Sequence, residues 1–256
     1  MRLPLTFVLA ASTSLAMALP LAAQDRSLNF GIGIGAVGQR AYPGADDYEG
    51  SADLKFTFGN LTWGNVDIGA GIGNVPANGV SLGGALRVIG SRKVDDNPEL
   101  AGLSDIDTAV ELGLGLTFQQ THWRAFGEVR QGFGGHDGVA GTLGADVIFR
   151  PTDRWTVTAG PRLNLGDSEY AGTYFGVTGA EALGSNFNAF DADGGVLGAG
   201  VEIGATYRID KDWSVEGLLS YEKLLNDAAD SPITQIGSEN QLSLRIGLSR
   251  AFTLNF

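Results

Sequence analysis

Three short stretches hold residue types that could do chemistry. "GFGGHDG" (132–138) places His136 beside Asp137, which could act as a base and its orienting carboxylate. Such a pair needs a nucleophile, and Ser168 and Ser231 are ordinary loop serines. The other histidine, His122, sits in a short turn, so the stretch reads as a tight hairpin loop. "DADGG" (191–195) sets Asp191 and Asp193 at a calcium-like spacing. It lacks the later bidentate glutamate of a hand-type loop, so the two are weak metal candidates. "GIGIGAVG" contains Gly33-x-Gly35-x-x-Gly38, a dinucleotide fingerprint in letters only. The fingerprint needs a strand, a turn and then a helix, whereas these glycines fall within and at the end of one alternating segment. The expectation is therefore a protein without catalytic residues, cofactor or committed metal site, and not an enzyme.

The elements that would position these residues are almost all strands. Val110, Leu112, Leu114, Leu116 and Phe118 alternate with Glu111, Gly113, Gly115 and Thr117. Leu242, Leu244, Ile246 and Leu248 alternate with Ser243, Arg245, Gly247 and Ser249, and Arg250 interrupts the apolar register before Phe252, Leu254 and Phe256. One register is bulky and uncharged. The other is glycine, hydroxyl and charge. A soluble sandwich seldom fills its outer faces with glycine, whereas a membrane barrel turns apolar residues to lipid and keeps a polar lumen. The 39 glycines, with 43% hydrophobic residues, suit a narrow lumen with little side-chain room. The formal charge of −12 excludes a basic nucleic-acid face, and the absence of cysteine excludes disulfides and thiolate chemistry. Residues 1–23 read as an export signal: Arg2, an apolar run, and small residues ending at Ala23.

The fold expected for 24–256 is all-β: one antiparallel transmembrane β-barrel of twelve strands, with ten as the alternative. Twelve requires a short strand over 61–65, set off by a link at 59–61 and by a split near Gly64-Asn65 from a strand over 66–74, because bacterial barrels close with even numbers. Links alternate between short and long, as short periplasmic turns and long extracellular loops do. Aromatics of the apolar register flank the short links: Phe58 and Trp63, Phe118 and Trp123, Phe149 and Trp155, Tyr207 and Trp213, with Phe256 joining them. They read as a girdle at the headgroup level, or as ordinary cross-strand aromatic pairs. The lumen register carries Arg87, Glu111, Arg124, Glu128, Arg130, Asp146, Arg162, Glu202, Arg208, Glu216 and Arg245. Interleaved signs favour pairing across a small, mostly closed interior over the one-sign ring of a selective pore. The long loops carry many acids, among them Asp95, Asp96, Glu99, Asp105 and Asp107, which read as a solvated rim or as carboxylates bridged by divalent cations to lipid phosphates.

Several segments resemble the MipA/OmpV family of outer-membrane proteins: "AYPGADDYEGS" (41–51), "DNPELAGLSDIDTAVELG" (96–113), "VRQGFGGHDG" (129–138), "TAGPRLNLGDSEYAGTYFGVT" (158–178), the stretch 190–233 and the terminal strand. The resemblance implies the outer membrane of a Gram-negative bacterium, contact with outer-membrane lipid, and recognition by the barrel assembly machinery during biogenesis. It implies a scaffold linking a lytic transglycosylase and a peptidoglycan synthase, and it brings no catalytic residues. The expected function is thus structural or scaffolding. The alternatives are a small channel and, second, a barrel enzyme acting on lipid or peptide. Nucleic acid is not an expected partner.

Loop length fixes the expected orientation. Epitope tags inserted in 91–107 and 166–195 should label on intact cells, and a tag at 150–153 should not. The reverse pattern would invert the topology.

Overall fold

The computed structural model describes residues 26–64, 66–69 and 78–256. The export signal and most of the expected strand 66–74 lie outside them. Eleven strands are described: β1 Arg26–Arg40, β2 Tyr48–Trp63, β3 Val66–Gly69, β4 Gly79–Ile89, β5 Ala109–Gln119, β6 Trp123–Gly134, β7 Val139–Thr152, β8 Trp155–Gly166, β9 Gly195–Arg208, β10 Trp213–Leu224 and β11 Asn240–Asn255. They form a single antiparallel sheet in the order β3-β2-β1-β11-β10-β9-β8-β7-β6-β5-β4. The sheet curls until β4 lies beside β2 and β3, giving a nearly closed barrel.

The exposure pattern shows which side faces lipid. Leu54 is 73% and Leu114 70% exposed on the outside, while inward-facing Glu111 is 0% and Asp146 2% exposed. A water-soluble sheet would invert those values. No helix among the described residues is long and apolar enough to cross a membrane.

Among the described residues eleven strands stand where twelve were expected. The expected split near Gly64-Asn65 is present, β2 ending at Trp63 and β3 starting at Val66, but the expected link at 59–61 is not a turn. β2 runs through it, and its register against β1 slips there, Asn29 facing Asn60 while Phe30 faces Phe58. Gly59 is the extra residue of a β-bulge. One inserted residue reverses the inside–outside parity. Even-numbered Phe58 and odd-numbered Trp63 therefore stay in the outward register on one continuous strand. In the sequence a bulge and a tight turn leave the same parity change. An odd number of antiparallel strands also leaves β3 and β4, the two ends of the sheet, pointing the same way.

The long loops, whose acids Asp95, Asp96, Glu99, Asp105 and Asp107 are exposed as a solvated rim would have them, also carry helices that the alternating pattern did not announce. They fold into a cap with four short helices: α1 Ser168–Phe175, α2 Gly179–Gly184, α3 Asn226–Asp230 and α4 Pro232–Ile236, plus a 3-10 turn at Pro98–Leu100. Asp167 starts α1 by accepting from Tyr170 N. Thr178 and Glu181 form a capping box on α2. One apolar cluster gathers Tyr42, Ala45, Leu100, Leu103, Val177, Phe187 and Ile233, contributed by the links 41–47, 90–108, 167–194 and 225–239. A second cluster packs Tyr170, Ala171, Tyr174 and Phe175 of α1 onto Ile89, Ala109, Ala140 and Leu197 at the strand ends.

Polar contacts cross between these loops. Arg92 Nη1 donates to Tyr174 O at 3.0 Å, and Ser231 Oγ donates to Phe175 O at 2.6 Å. Tyr42 Oη donates to Glu99 Oε1 at 2.9 Å, and Ser104 N donates to Glu181 Oε1 at 2.8 Å. Burial, reinforced by the Glu99 bond, pushes the Tyr42 hydroxyl well above its ordinary range. Burial opposes the charged form of Glu181, yet the hydrogen bonds from Ser104 and Thr178 outweigh it and bring its pKa down to about 2.

A depressed carboxylate stabilises the fold above its unfolded pKa, and that contribution is lost as pH falls through the folded value. Acidification from about 4.5 towards about 2 should therefore loosen the link between α2 and the 90–108 loop. Protection factors at Ser104 and Thr178, taken relative to the intrinsic exchange rate at each pH, should fall over that window in the native protein. In Glu181→Gln they should already be low at neutral pH and change little with acid.

Candidate functional site

The site is the charged inner wall of the barrel and the roof above it. Every expected lumen residue lies on a strand with the expected inward parity, and several meet. Asp146 on β7 takes Arg124 of β6 at 2.7 Å and Arg162 of β8 at 2.8 Å, and Arg162 also reaches Glu202 of β9 at 2.8 Å. Arg130 on β6 bonds Glu111 of β5 at 2.8 Å and Glu128 at 3.0 Å. On the other wall Lys55 of β2 meets Glu216 of β10 at 2.5 Å. Arg245 of β11 pairs with Asp53 of β2 and lies 3.6 Å from Glu216. Arg208 donates to Asp153 O at the short-turn end. Arg87 faces Glu111 across the β4–β5 ladder without a direct hydrogen bond to it.

The pairing differs from the expectation. The charges run along the wall instead of across the middle, and some pass over an intervening strand. Lys55 reaches Glu216 across β1 and β11, where the inward positions are Gly33, Gly35, Gly247 and Ser249. Asn164 of β8 donates to Glu222 of β10 at 2.8 Å across β9. A Cβ at Gly198 would stand 1.8 Å from a Glu222 oxygen, so glycine there is what lets the carboxylate lie over the strand. Gly144 does the same for Phe126, an inward aromatic that the alternation had not singled out. Arg124 and Arg162 hold their guanidinium groups 5.4 and 5.0 Å from the Phe126 ring centre.

The roof joins this network at His136. The histidine belongs to the tight 135–138 link, as the sequence implied, but its ring turns inward and is buried. Its Nε2 lies 3.3 Å from Glu111 Oε1. Tyr170 and Tyr174 meet the ring edge-on at 5.1 and 5.5 Å. Glu111 thus bonds Arg130 of the wall and lies beside His136 of the roof, where Glu111 Oε1 and both ring nitrogens have no hydrogen-bond partner among the described residues. Burial pushes both tyrosine hydroxyls above their ordinary range, and it lowers the Arg92 guanidinium. Sequence reasoning missed Tyr170, Tyr174 and Arg92. The available signal was Tyr170, Ala171, Tyr174 and Phe175 at helical spacing behind Asp167.

The remaining candidates do not converge on this place. Asp191 is exposed, and Asp193 N donates to Asp227 Oδ2 at 2.7 Å, a brace between two loops. No group of three His, Asp or Glu side chains poised for a metal occurs among the described residues. Ser231 caps α4 and Ser168 opens α1, so neither approaches His136 as a nucleophile would. Gly33, Gly35 and Gly38 lie in β1, with no helix after them.

The girdle residues lie on the outer face near the short turns, with one correction. Phe58 does not sit beside a turn; it lies above the bulge and faces Phe30. Phe118 packs against Trp123 with ring centres 5.4 Å apart and planes tilted 55°, Trp155 against Tyr207 at 5.0 Å and 49°, and Trp63 meets Phe256 at 6.2 Å. Phe149 faces Val157 at the end of β7, and Trp213 opens β10.

An apolar outer wall, a charged inner wall and a folded roof define a capped β-barrel of the outer-membrane kind. The chain belongs to the MipA family: the family model described as MltA-interacting protein MipA matches residues 32–252. No curated protein matches. Among solved structures it is similar in fold to Ail, the attachment invasion locus protein of Yersinia pestis (11% identity, 88% of this chain and 99% of that one, TM-score 0.29). It is similar also to Neisserial surface protein A (10%, 87% and 97%, 0.29) and to outer-membrane OmpT of Vibrio cholerae (10%, 90% and 98%, 0.34).

Arg130→Gln would leave the wholly buried Glu111 with only His136. We expect a loss of about 3–5 kcal/mol, read as a lower denaturant midpoint of the barrel in detergent micelles. Adding Glu111→Gln should restore much of it, because no uncompensated charge then remains.

Proposed function

We propose that this protein is a closed, non-catalytic barrel of the Gram-negative outer membrane that serves as a fixed platform for peptidoglycan-processing enzymes. The observation that carries the reading is the roof. Leu100 and Ile233 are completely buried in an apolar cluster drawn from four loops. That cluster seals the mouth where a pore would open. The inner wall spends its charges on one another, unlike a conducting path lined by one sign. The family name points to a partner that cleaves murein. A platform must be rigid, and a barrel cross-braced inside and roofed by packed helices is rigid. His136 serves the reading as well: it is packed under two tyrosines as a strut, with no open face for a substrate.

The test is a pair of measurements on one preparation. In planar bilayers the purified protein should show no steady conductance, and crosslinking in intact cells should recover a lytic transglycosylase and a peptidoglycan synthase. A large, stable open pore would replace the platform by a channel. A silent barrel that crosslinks to no murein enzyme would remove the proposed partners.

A further inference from the structure

Arg250 is the one charge in the outward register of β11, between Leu248 and Phe252. In the ladder it faces Trp213 on β10 and Ile32 on β1. Its guanidinium lies 5.3 Å from the Trp213 ring centre and 5.0 Å from that of Phe252. It makes no hydrogen bond or ion pair among the described residues. The nearby turn does not supply one: Asp210 Oδ1 accepts from Asp212 N and Trp213 N, both at 2.8 Å, and Asp212 is paired with Lys211 at 3.1 Å. Asp210 lies near enough for Arg250 to help those two backbone bonds lower its carboxylate pKa without bonding it, so the donor edge of this planar cation has an acidic neighbour but no bonded partner at the margin of an apolar surface.

The surface beside it is shaped. One outward position further along each strand stand Ile34, Leu248 and Val215, and beyond them the outward residues shrink to Ala36, Ala52 and Gly217 around Ile246. The step leaves a shallow apolar depression across β2, β1, β11 and β10, lined by Ile34, Ala52, Leu54, Val215, Ile246 and Leu248, one outward position along the strands from Arg250.

We propose that Arg250 and this depression form a binding site for one anionic glycerophospholipid. The phosphate sits on the guanidinium edge, and an acyl chain lies along Ile34, Leu248 and Val215. Arginine matches phosphate through two parallel N–H donors, and the flanking rings hold the guanidinium in place. A carboxylate on a soluble partner would meet hydrocarbon-facing leucine and isoleucine here. A lipid brings its anion and its apolar tail together.

The full-length barrel carrying Trp63→Phe, Trp123→Phe and Trp155→Phe, reconstituted in vesicles of phosphatidylcholine with brominated phosphatidylglycerol or brominated phosphatidylcholine, reports the site through quenching of Trp213, which is in contact with Arg250. One arginine near a membrane surface corresponds to about a fivefold preference for the anionic lipid. This parent barrel should show that preference, Arg250→Gln should abolish it, and Arg250→Lys should keep part of it. Ala52→Phe, which fills the depression from its exposed wall without adding a tryptophan, should lower occupancy by both brominated lipids while leaving Arg250 in place. Heat-modifiable migration identifies folded protein for each variant. No anionic preference in the parent barrel, or an equal preference in Arg250→Gln, overturns the site. Displacement of phosphatidylglycerol by lipopolysaccharide at equal phosphate overturns the choice of glycerophospholipid.

Discussion

One carboxylate holds the two halves of this molecule to each other. Glu111 is completely buried, and a buried charge persists only when it is neutralised where it stands. Its counter-charge is Arg130 from the neighbouring strand, and the His136 ring of a loop folded inward packs beside it. His136 in turn supports Tyr170 and Tyr174 of α1, and α1 supports Arg92 and Ser231 from two further loops. The wall network and the roof are therefore one electrostatic unit, centred at the loop end of β5.

Glycine makes the rest of that unit possible. In a lumen lined by full-sized side chains, each charge could meet only its immediate neighbours. Here the strands between partners are pared down to backbone, so Lys55 and Glu216 join over two of them and Asn164 and Glu222 over one. The composition of the chain is thus a consequence of where its charges must travel. The same economy of space admits Phe126 to the interior, where two guanidinium groups lie against it.

What the sequence disclosed follows from what selects each residue. Lipid on one side and a narrow lumen on the other impose a strict two-residue period, so the strands, the inward charges and the outer aromatics were readable. The bulge at Gly59 was read as a turn because parity records that a slip occurs but not its geometry. The partners of Lys55 and Arg245 were hidden, since they depend on the order in which distant strands meet around the barrel. The cap was hidden for a related reason. Leu100, Val177 and Ile233 occupy short segments whose apolar residues make sense only when brought together, and no periodicity announces that.

The origin of the cap also imposes a chronology. Its central cluster takes residues from four links spread between Tyr42 and Ile233, almost the full span of the strands. None of these links can find the others until the strands between them are in register, because closing such long loops in an unpaired chain forfeits entropy that no contact yet returns. Loop-closure entropy therefore favours an order in which the wall pairs first and the roof, drawn from all four links, is laid after it.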